Sequence, residues 1–197
     1  MQRNFVQDLA LGRVQFSAIG STRETSAVAK IRLCRIDEHP VILEIVSAAA
    51  NAYRGVIPDD CWHEPYMPRS ELEAEVAAGV TFWGSEIDDV LVGVMGIQPV
   101  RDVDLIRHAY VRPQFQRRGV GGELLGHLRS LSGRRMLVGT WKAAVWAVRL
   151  YRRHGFELVP EKRKTSLLET YWTVPARQIE ASVVLANPPF EAWEVLG

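Results

Sequence analysis

The run Gln116-Arg117-Arg118-Gly119-Val120-Gly121 carries the strongest chemical signal in the sequence. It sits between a β-rich stretch, Val103–Val111, and an amphipathic one with Leu124, Leu125, Leu128 and Leu131 at helical spacing. Glycines let a backbone approach a ligand closely and adopt positive φ. The first turn of a helix adds free N–H groups and a partial positive charge. With two arginines beside them, these features suit an anion, best a phosphate or pyrophosphate. A plain strand-to-helix turn whose glycines serve packing is the competing reading. A dinucleotide fingerprint fails, because Leu124 stands where its third glycine belongs and Trp141 and Lys142 where its acidic ribose partner would be. No Gly-Lys-Ser/Thr exists for a Walker loop.

Other chemistries find less support. His63-Glu64-Pro65-Tyr66-Met67 begins like a zincin motif but ends on Met, and Pro65 disfavours the helix. Cys61-x-His63 is too little for zinc, so no metal is expected. There is no Gly-x-Ser-x-Gly elbow. Cys34 and Cys61 have no evident activating partner beyond His63, which argues against a covalent acyl-enzyme.

The elements that must position the loop can be traced along the chain. Ile31–Ile36 alternates as a strand, and Asp37 is placed to cap a helix with Ile42, Ile45, Val46, Ala49 and Tyr53 on one face, stopped by Gly55. An irregular segment, Val56–Pro68, leads to Ser70-Glu71-Leu72-Glu73, which has the form of a capping box for a short acidic helix ending at Gly79. Val80–Ile87 and Val90–Val100 read as a hairpin about Asp88-Asp89, followed by Val103–Val111 as a third antiparallel strand. Beyond the loop come the helix from Gly119, a strand Arg135–Trp141, a helix Ala143–His154 ended by Gly155, and strands Phe156–Val159 and Ile179–Ala186. Strand–helix–strand order implies one parallel pair in a mixed, mostly antiparallel α/β (α+β) sheet flanked by helices.

At 197 residues this is one domain. Residues 1–27 read as a flexible extension and 28–197 as the folded unit. Hydrophobic content of 47% and charged content of 24% are those of a globular protein. Two cysteines suit a reducing compartment, no run approaches the ~20 apolar residues of a membrane span, and the start does not read as a signal peptide. The expectation is a cytoplasmic protein. Its net charge of +1 hides an asymmetry: residues 51–100 carry two basic and nine acidic side chains, residues 101–150 ten basic and three acidic. The basic half suggests a polyanionic ligand; two solvated faces are the alternative.

Tyr110-Val111-Arg112-Pro113-Gln114-Phe115-Gln116-Arg117-Arg118-Gly119-Val120-Gly121 resembles the central motif of the GNAT superfamily of acyl-CoA-dependent N-acyltransferases. Ala147-x-x-Leu150-Tyr151-x-x-x-Gly155-Phe156 resembles a later segment of the same superfamily, and the two stand in the right order, with resemblance over residues 30–190. The resemblance implies the GNAT fold and acetyl-CoA as the acyl donor. It implies that the amides of Gln116, Arg117, Arg118, Gly119, Val120 and Gly121 hold the CoA pyrophosphate. The edge at Ala109, Tyr110 and Val111 would pair with pantetheine. The Tyr110 or Val111 amide would polarise the thioester carbonyl. Tyr151 falls on the general-acid position, although a phenol near pKa 10 transfers a proton uphill to a thiolate near 8.5. The family often has Asn at the pantetheine-contacting position held here by Ala144, so that contact must be absent or come from Trp141 or Thr140.

The acceptor side is less legible. An amine must lose its proton before it attacks. His108, and Glu64 in the segment that would overhang the site, are the candidate bases. Strand parity puts Arg107 with Ala109 and opposite His108, which suggests an anionic group on the acceptor, with Asp102 or Asp104 as internal alternatives. Tyr53, Trp62, His63, Tyr66 and Trp172 are candidates to wall the pocket. The expected activity is transfer of acetyl to a primary amine, small or on a protein, by direct attack in a ternary complex. A catalytically inactive CoA-binding module of the same fold is the alternative. No nucleic-acid or membrane partner is expected, since the basic residues lack interleaved aromatics; a homodimer stays open.

Overall fold

The computed structural model describes residues 29–195; the expected extension over 1–27 lies outside them. Strand β1 (Lys30–Leu33) leads through a short 3-10 turn to helix α1 (His39–Ala50), and helix α2 (Arg69–Ala77) follows an irregular segment. Strands β2 (Thr81–Ile87), β3 (Val90–Val100) and β4 (Val103–Val111) run as an antiparallel meander. Then come α3 (Val120–Leu131), β5 (Arg135–Trp141), α4 (Val145–Arg153), β6 (Glu157–Leu158), α5 (Glu161–Tyr171), α6 (Ala176–Ala181) and β7 (Ser182–Asn187). The seven strands form one sheet in the order β1-β2-β3-β4-β5-β7-β6, with β4 and β5 its parallel pair.

Side-chain period explains which face each helix covers. Ile42, Ile45, Val46 and Ala49 are buried along one stripe of α1. They meet Leu72 of α2 and Phe82, Leu91 and Val94 of the sheet. On the opposite face Leu124, Leu125 and Leu128 of α3 and Tyr151 of α4 pack on Val92, Met95, Ile106 and Val138. Leu167 and Leu168 of α5 close the far arm over Leu105, Leu137 and Val184. Each such aliphatic side chain taken from water contributes about 1.5–3 kcal/mol. The β2–β3 turn matches its sequence reading: Asp88 and Asp89 both take positive φ (49° and 61°), the conformation that suits the twist of a two-residue hairpin.

Three local expectations are corrected. Ser70 lies inside α2, whose N-cap is Pro68 with no side-chain cap; an Arg69–Glu73 pair at 2.7 Å stands in the first turn instead. Asp37 does not cap α1, since Glu38 turns back to accept a hydrogen bond from the Arg35 amide at 2.7 Å. The stretch read as a strand from Ile179 opens as α6, launched by Pro175 in extended conformation, and the strand begins only at Ser182. Helix α5 was not expected; its only buried residues are Lys164, Leu167 and Leu168, and Lys164 is tied to Glu161 at 2.6 Å.

One irregularity in the sheet sets up the site. Gly96 pairs with Arg107 and Val94 with Tyr110, so β4 carries one residue more than β3 over that interval. The extra residue is a bulge, with His108 at φ +49°. Gly96 is what the bulge packs on: a Cβ there would lie 2.8 Å from Val80 Cγ1 and 3.1 Å from the Arg107 carbonyl. Gly96→Ala is therefore expected to destabilise the protein by roughly 1–3 kcal/mol, read as a lowered urea midpoint at unchanged m-value.

Candidate active site

Pairing between β4 and β5 runs from Val103–Arg135 to Ile106–Val138 and stops there. Both strands continue, β4 to Val111 and β5 to Trp141. They part over these last residues and leave a cleft of about 1390 Å³ that both strands line. The Arg112 amide bonds the Val92 carbonyl at 2.8 Å. By alternation Val111, one residue earlier, turns its N–H and C=O into the cleft, while Tyr110 turns its amide to β3. The Gln116 side chain donates to that Val111 carbonyl at 3.0 Å.

One end of the cleft is built for an anion. Arg117 (φ +61°) and Gly119 (φ +94°) bring the chain into α3 in left-handed conformation. The first intrahelical bonds are those of Gly122 and Glu123 to the Gly119 carbonyl, at 2.8 and 3.0 Å. The Val120 and Gly121 amides thus point out of the helix end into the cleft. Glu123 lines the same end, but Arg117 and, from α4, Arg149 and Arg153 outnumber it. Gly122 lets α4 close on this turn, since a Cβ would lie 2.6 Å from His154 Nε2.

The middle is aromatic. Tyr53 stacks on Tyr66 (5.9 Å between centroids) and on Trp146 (5.7 Å), and Tyr66 meets Tyr110 edge-on (6.4 Å). Trp141 Nε1–H donates to the Tyr66 hydroxyl at 3.2 Å. Burial pushes the phenols of Tyr53, Tyr66, Tyr110 and Tyr151 above their ordinary value. Tyr151 lines the cleft with its ring edge-on to Phe156. It stays a protonated hydrogen-bond donor at any physiological pH.

The opposite end carries Glu75 of α2, with Arg107 and His108 of β4. Arg107 Nη2 donates to Glu75 Oε1 at 2.6 Å and Nη1 to Gln98 Oε1 at 2.7 Å. His108 Nε2 lies 3.2 Å from Glu75 Oε2, close enough for an ion pair though poorly aligned for a hydrogen bond. Burial pushes the Glu75 carboxyl up, but His108 and Arg107 outweigh it and hold it below the ordinary range. Burial likewise pushes the Cys61 thiol up and, with Glu38 nearby, the Cys34 thiol to about 12. Among the described residues no three His, Cys, Asp or Glu side chains gather as a metal site requires. Nor is any helix there long and apolar enough to cross a membrane.

The family description "Acetyltransferase (GNAT) domain" matches residues 78–158, from the end of α2 through β6. The PaiA N-acetyltransferase of Thermoplasma acidophilum, solved with coenzyme A, superposes with a TM-score of 0.62 at 14% identity, over 81% of this chain and 98% of that one. The ribosomal-protein-S18-alanine N-acetyltransferase of Escherichia coli superposes with 0.58 at 15% identity, over 81% and 92%. A GNAT family acetyltransferase of Elizabethkingia anophelis with acetyl-CoA bound gives 0.56 at 16%, over 80% and 96%. No curated protein sequence matches. Residues 78–158 thus match a GNAT acetyltransferase domain, and the chain shares its fold with these GNAT structures.

Within this GNAT fold the residues expected from sequence divide. Tyr151, His108, Ala109, Tyr110, Val111, Gln116, Arg117, Gly119, Val120 and Gly121 all line the cleft, as do Tyr53 and Tyr66. Arg118 does not; its guanidinium lies 5.5 Å over the Phe115 ring. Ala144 is fully buried against Ile57 and Trp141, and Thr140 and Trp141 face the cleft in its place. Glu64 is exposed, paired with Arg54 at 3.0 Å, and does not line the cleft. Arg54 also covers Trp62, which stays outside the cleft lining. Arg107 is not free to bind an acceptor carboxylate, because Glu75 and Gln98 engage it. The parity argument failed at the bulge: Arg107 and His108 reach the same carboxylate, and Ala109 packs on the other face.

Glu75, Arg149 and Arg153 were missed. Glu75 follows Glu71 by one helical turn, so the two share a face of α2, but nothing in the sequence said that this face meets β4.

The Glu75 linkage gives a signed prediction. A carboxyl depressed in the folded state contributes stability above its unfolded value of about 4.3, and that stability is lost as pH falls through the lower folded value. Glu75→Gln has no such term. The melting-temperature gap between wild type and Glu75→Gln is therefore expected to be largest near neutrality and to narrow as pH falls below about 4, as measured by circular dichroism.

Proposed function

We propose that this GNAT protein transfers the acetyl group of acetyl-CoA to a primary amine by direct attack within a ternary complex. The observation that carries this reading is the cleft itself. It joins an anion-binding helix end and a free strand edge on one side to a buried histidine on the other. Relatives of the same fold were solved with coenzyme A or acetyl-CoA.

In this reading the Val120 and Gly121 amides with Arg117 take the pyrophosphate, and the Val111 edge pairs with the pantetheine amides. The Val111 N–H is aimed where charge grows on the thioester oxygen. His108 relieves the acceptor amine of its proton, and Tyr151, too weak an acid for full transfer, donates a hydrogen bond to the departing sulfur. The acceptor is a small amine or a protein amine; with Arg107 engaged internally, an acceptor anion has no free partner there.

The deciding experiment is thiol release from acetyl-CoA over a panel of amines, with mass spectrometry of the products. Amine-dependent release supports the reading. Tight CoA binding with no amine-dependent release would reduce the protein to a CoA-binding module. Two variants locate the donor side. Gly121→Glu has room within the protein, since a Cβ there meets only Leu150 and Val111 at 3.5 and 3.8 Å. It sets a negative charge at the cradle, and calorimetry is expected to show CoA affinity reduced about tenfold or more. Tyr151→Phe removes only the hydroxyl and is expected to lower kcat by ~10²-fold; a change within about threefold, with chemistry rate-limiting, leaves Tyr151 as packing.

A further inference from the structure

The bulge in β4 does more than bend the strand. Alternation along an unbroken strand would send Arg107 and His108 to opposite faces. With one extra residue between the Gly96–Arg107 and Val94–Tyr110 pairs, both side chains fall on the α2 face and share one carboxylate. The three side chains are largely buried, at 19% exposure for Glu75, 19% for Arg107 and 13% for His108. Phe82 stacks on the imidazole at 5.7 Å with an interplanar angle of 25°.

A salt bridge built only for stability would close both carboxylate oxygens with a bidentate guanidinium. Arg107 does otherwise: one nitrogen goes to Glu75 Oε1 and the other to Gln98, whose own Nε2–H is fixed by the Ala78 carbonyl at 2.9 Å. This leaves Oε2 shut away from solvent with His108 Nε2 as its neighbour, itself equally shut away. With Nε2 turned to the carboxylate, Nδ1 is the nitrogen that keeps the lone pair, on a side chain that lines the cleft.

We propose that Glu75 is a positioning residue for His108, holding the Nε2–H tautomer so that Nδ1 receives the proton of the acceptor amine. The proposal rests on the acyl-transfer reading. The proton leaves the acceptor nitrogen for Nδ1, the nitrogen lone pair becomes free for the thioester carbon, and the imidazolium later returns the proton to water. While it exists, the imidazolium is stabilised by Glu75. Arg107 opposes that stabilisation and keeps the carboxylate ionised. The other ionisable groups of the cleft wall near the couple are Glu71, one turn earlier on α2, and Tyr66 and Tyr110.

The test reads His108 directly. Nitrogen-15 NMR of wild type should show the Nε2–H tautomer, and an Nδ1–H tautomer would overturn the proposal without any variant. In folded Glu75→Gln the preference for the Nε2–H tautomer should be lost, and in Arg107→Gln, which keeps the carboxylate, it should persist. In an active preparation Glu75→Gln should lose roughly 10²-fold in kcat, with the KM for acetyl-CoA unchanged. Glu75→Asp should restore part of the rate. An active wild type whose His108 tautomer is unmoved by Glu75→Gln overturns the positioning role alone. A wild type inert toward every amine, with the tautomer moved as expected, overturns the acyl-transfer reading and with it the catalytic use of the couple.

Discussion

The structure turns on an interruption: two parallel strands that pair for four residues and then part. Beyond Ile106 and Val138, β5 still pairs with β7 through Gly139, Thr140 and Trp141, and β4 still pairs with β3. Each strand therefore keeps one satisfied edge and opens the other to the cleft. A backbone N–H or C=O withdrawn from water without a partner costs about 1–3 kcal/mol, so such edges persist only where water or a ligand completes them. The helices stand where they do because of this opening. α3 brings its N-terminal end and α4 one of its faces to one side of it, and α1, α2 and the Tyr53–Tyr66 segment wall the other.

The charge asymmetry of the sequence acquires a place in this arrangement. Six of the nine acidic side chains fall between Asp59 and Glu75, on α2 and the segment before it, and the basic ones spread from β4 through the glycine loop to α4. They meet at β4, where Arg107 engages Glu75. The arginines of the basic stretch divide between the cleft and contacts within the protein. Arg117, Arg149 and, from beyond the basic stretch, Arg153 line the anion end of the cleft, whereas Arg118 rests on Phe115 outside it and Arg134 is tied to Asp104 at 3.0 Å. A count of charges marks that half of the chain as basic. It does not say which arginines remain available once the sheet has formed.

Legibility followed how local each feature is. The β2–β3 turn, the bounds of β3, β4 and β5, and the helix opening at Gly119 are set by residues adjacent in sequence, and the sequence reading placed them within a residue or so. Helix α5 escaped because its buried positions are few and one of them is a lysine, so hydrophobic period does not announce it. The site divided on the same line. The loop from Gln116 to Gly121 is contiguous and was readable, while Glu75 reaches β4 across 32 residues. The bulge was the deeper obstacle. A strand read at period two assigns Arg107 and His108 opposite faces, and the signal that could have warned of the irregularity was Gly96 on the partner strand. That is a residue whose need for a missing side chain appears only when the two strands are set together.

What encloses the cleft away from the glycine loop is aromatic packing more than charge. Asp60 and Arg177 meet at 2.9 Å across the mouth, from the segment after α1 to α6. Both side chains are more than half exposed, and exposed pairs of this kind contribute little. The Trp141–Tyr66 hydrogen bond and the Trp172 ring, which would lie 3.7 Å from a Cβ at Gly139, join β5 to both walls over buried surface. The same α5–α6 connection that hydrophobic period failed to announce thus supplies a wall of the cleft, whose shape there depends on a segment with a nearly silent sequence pattern.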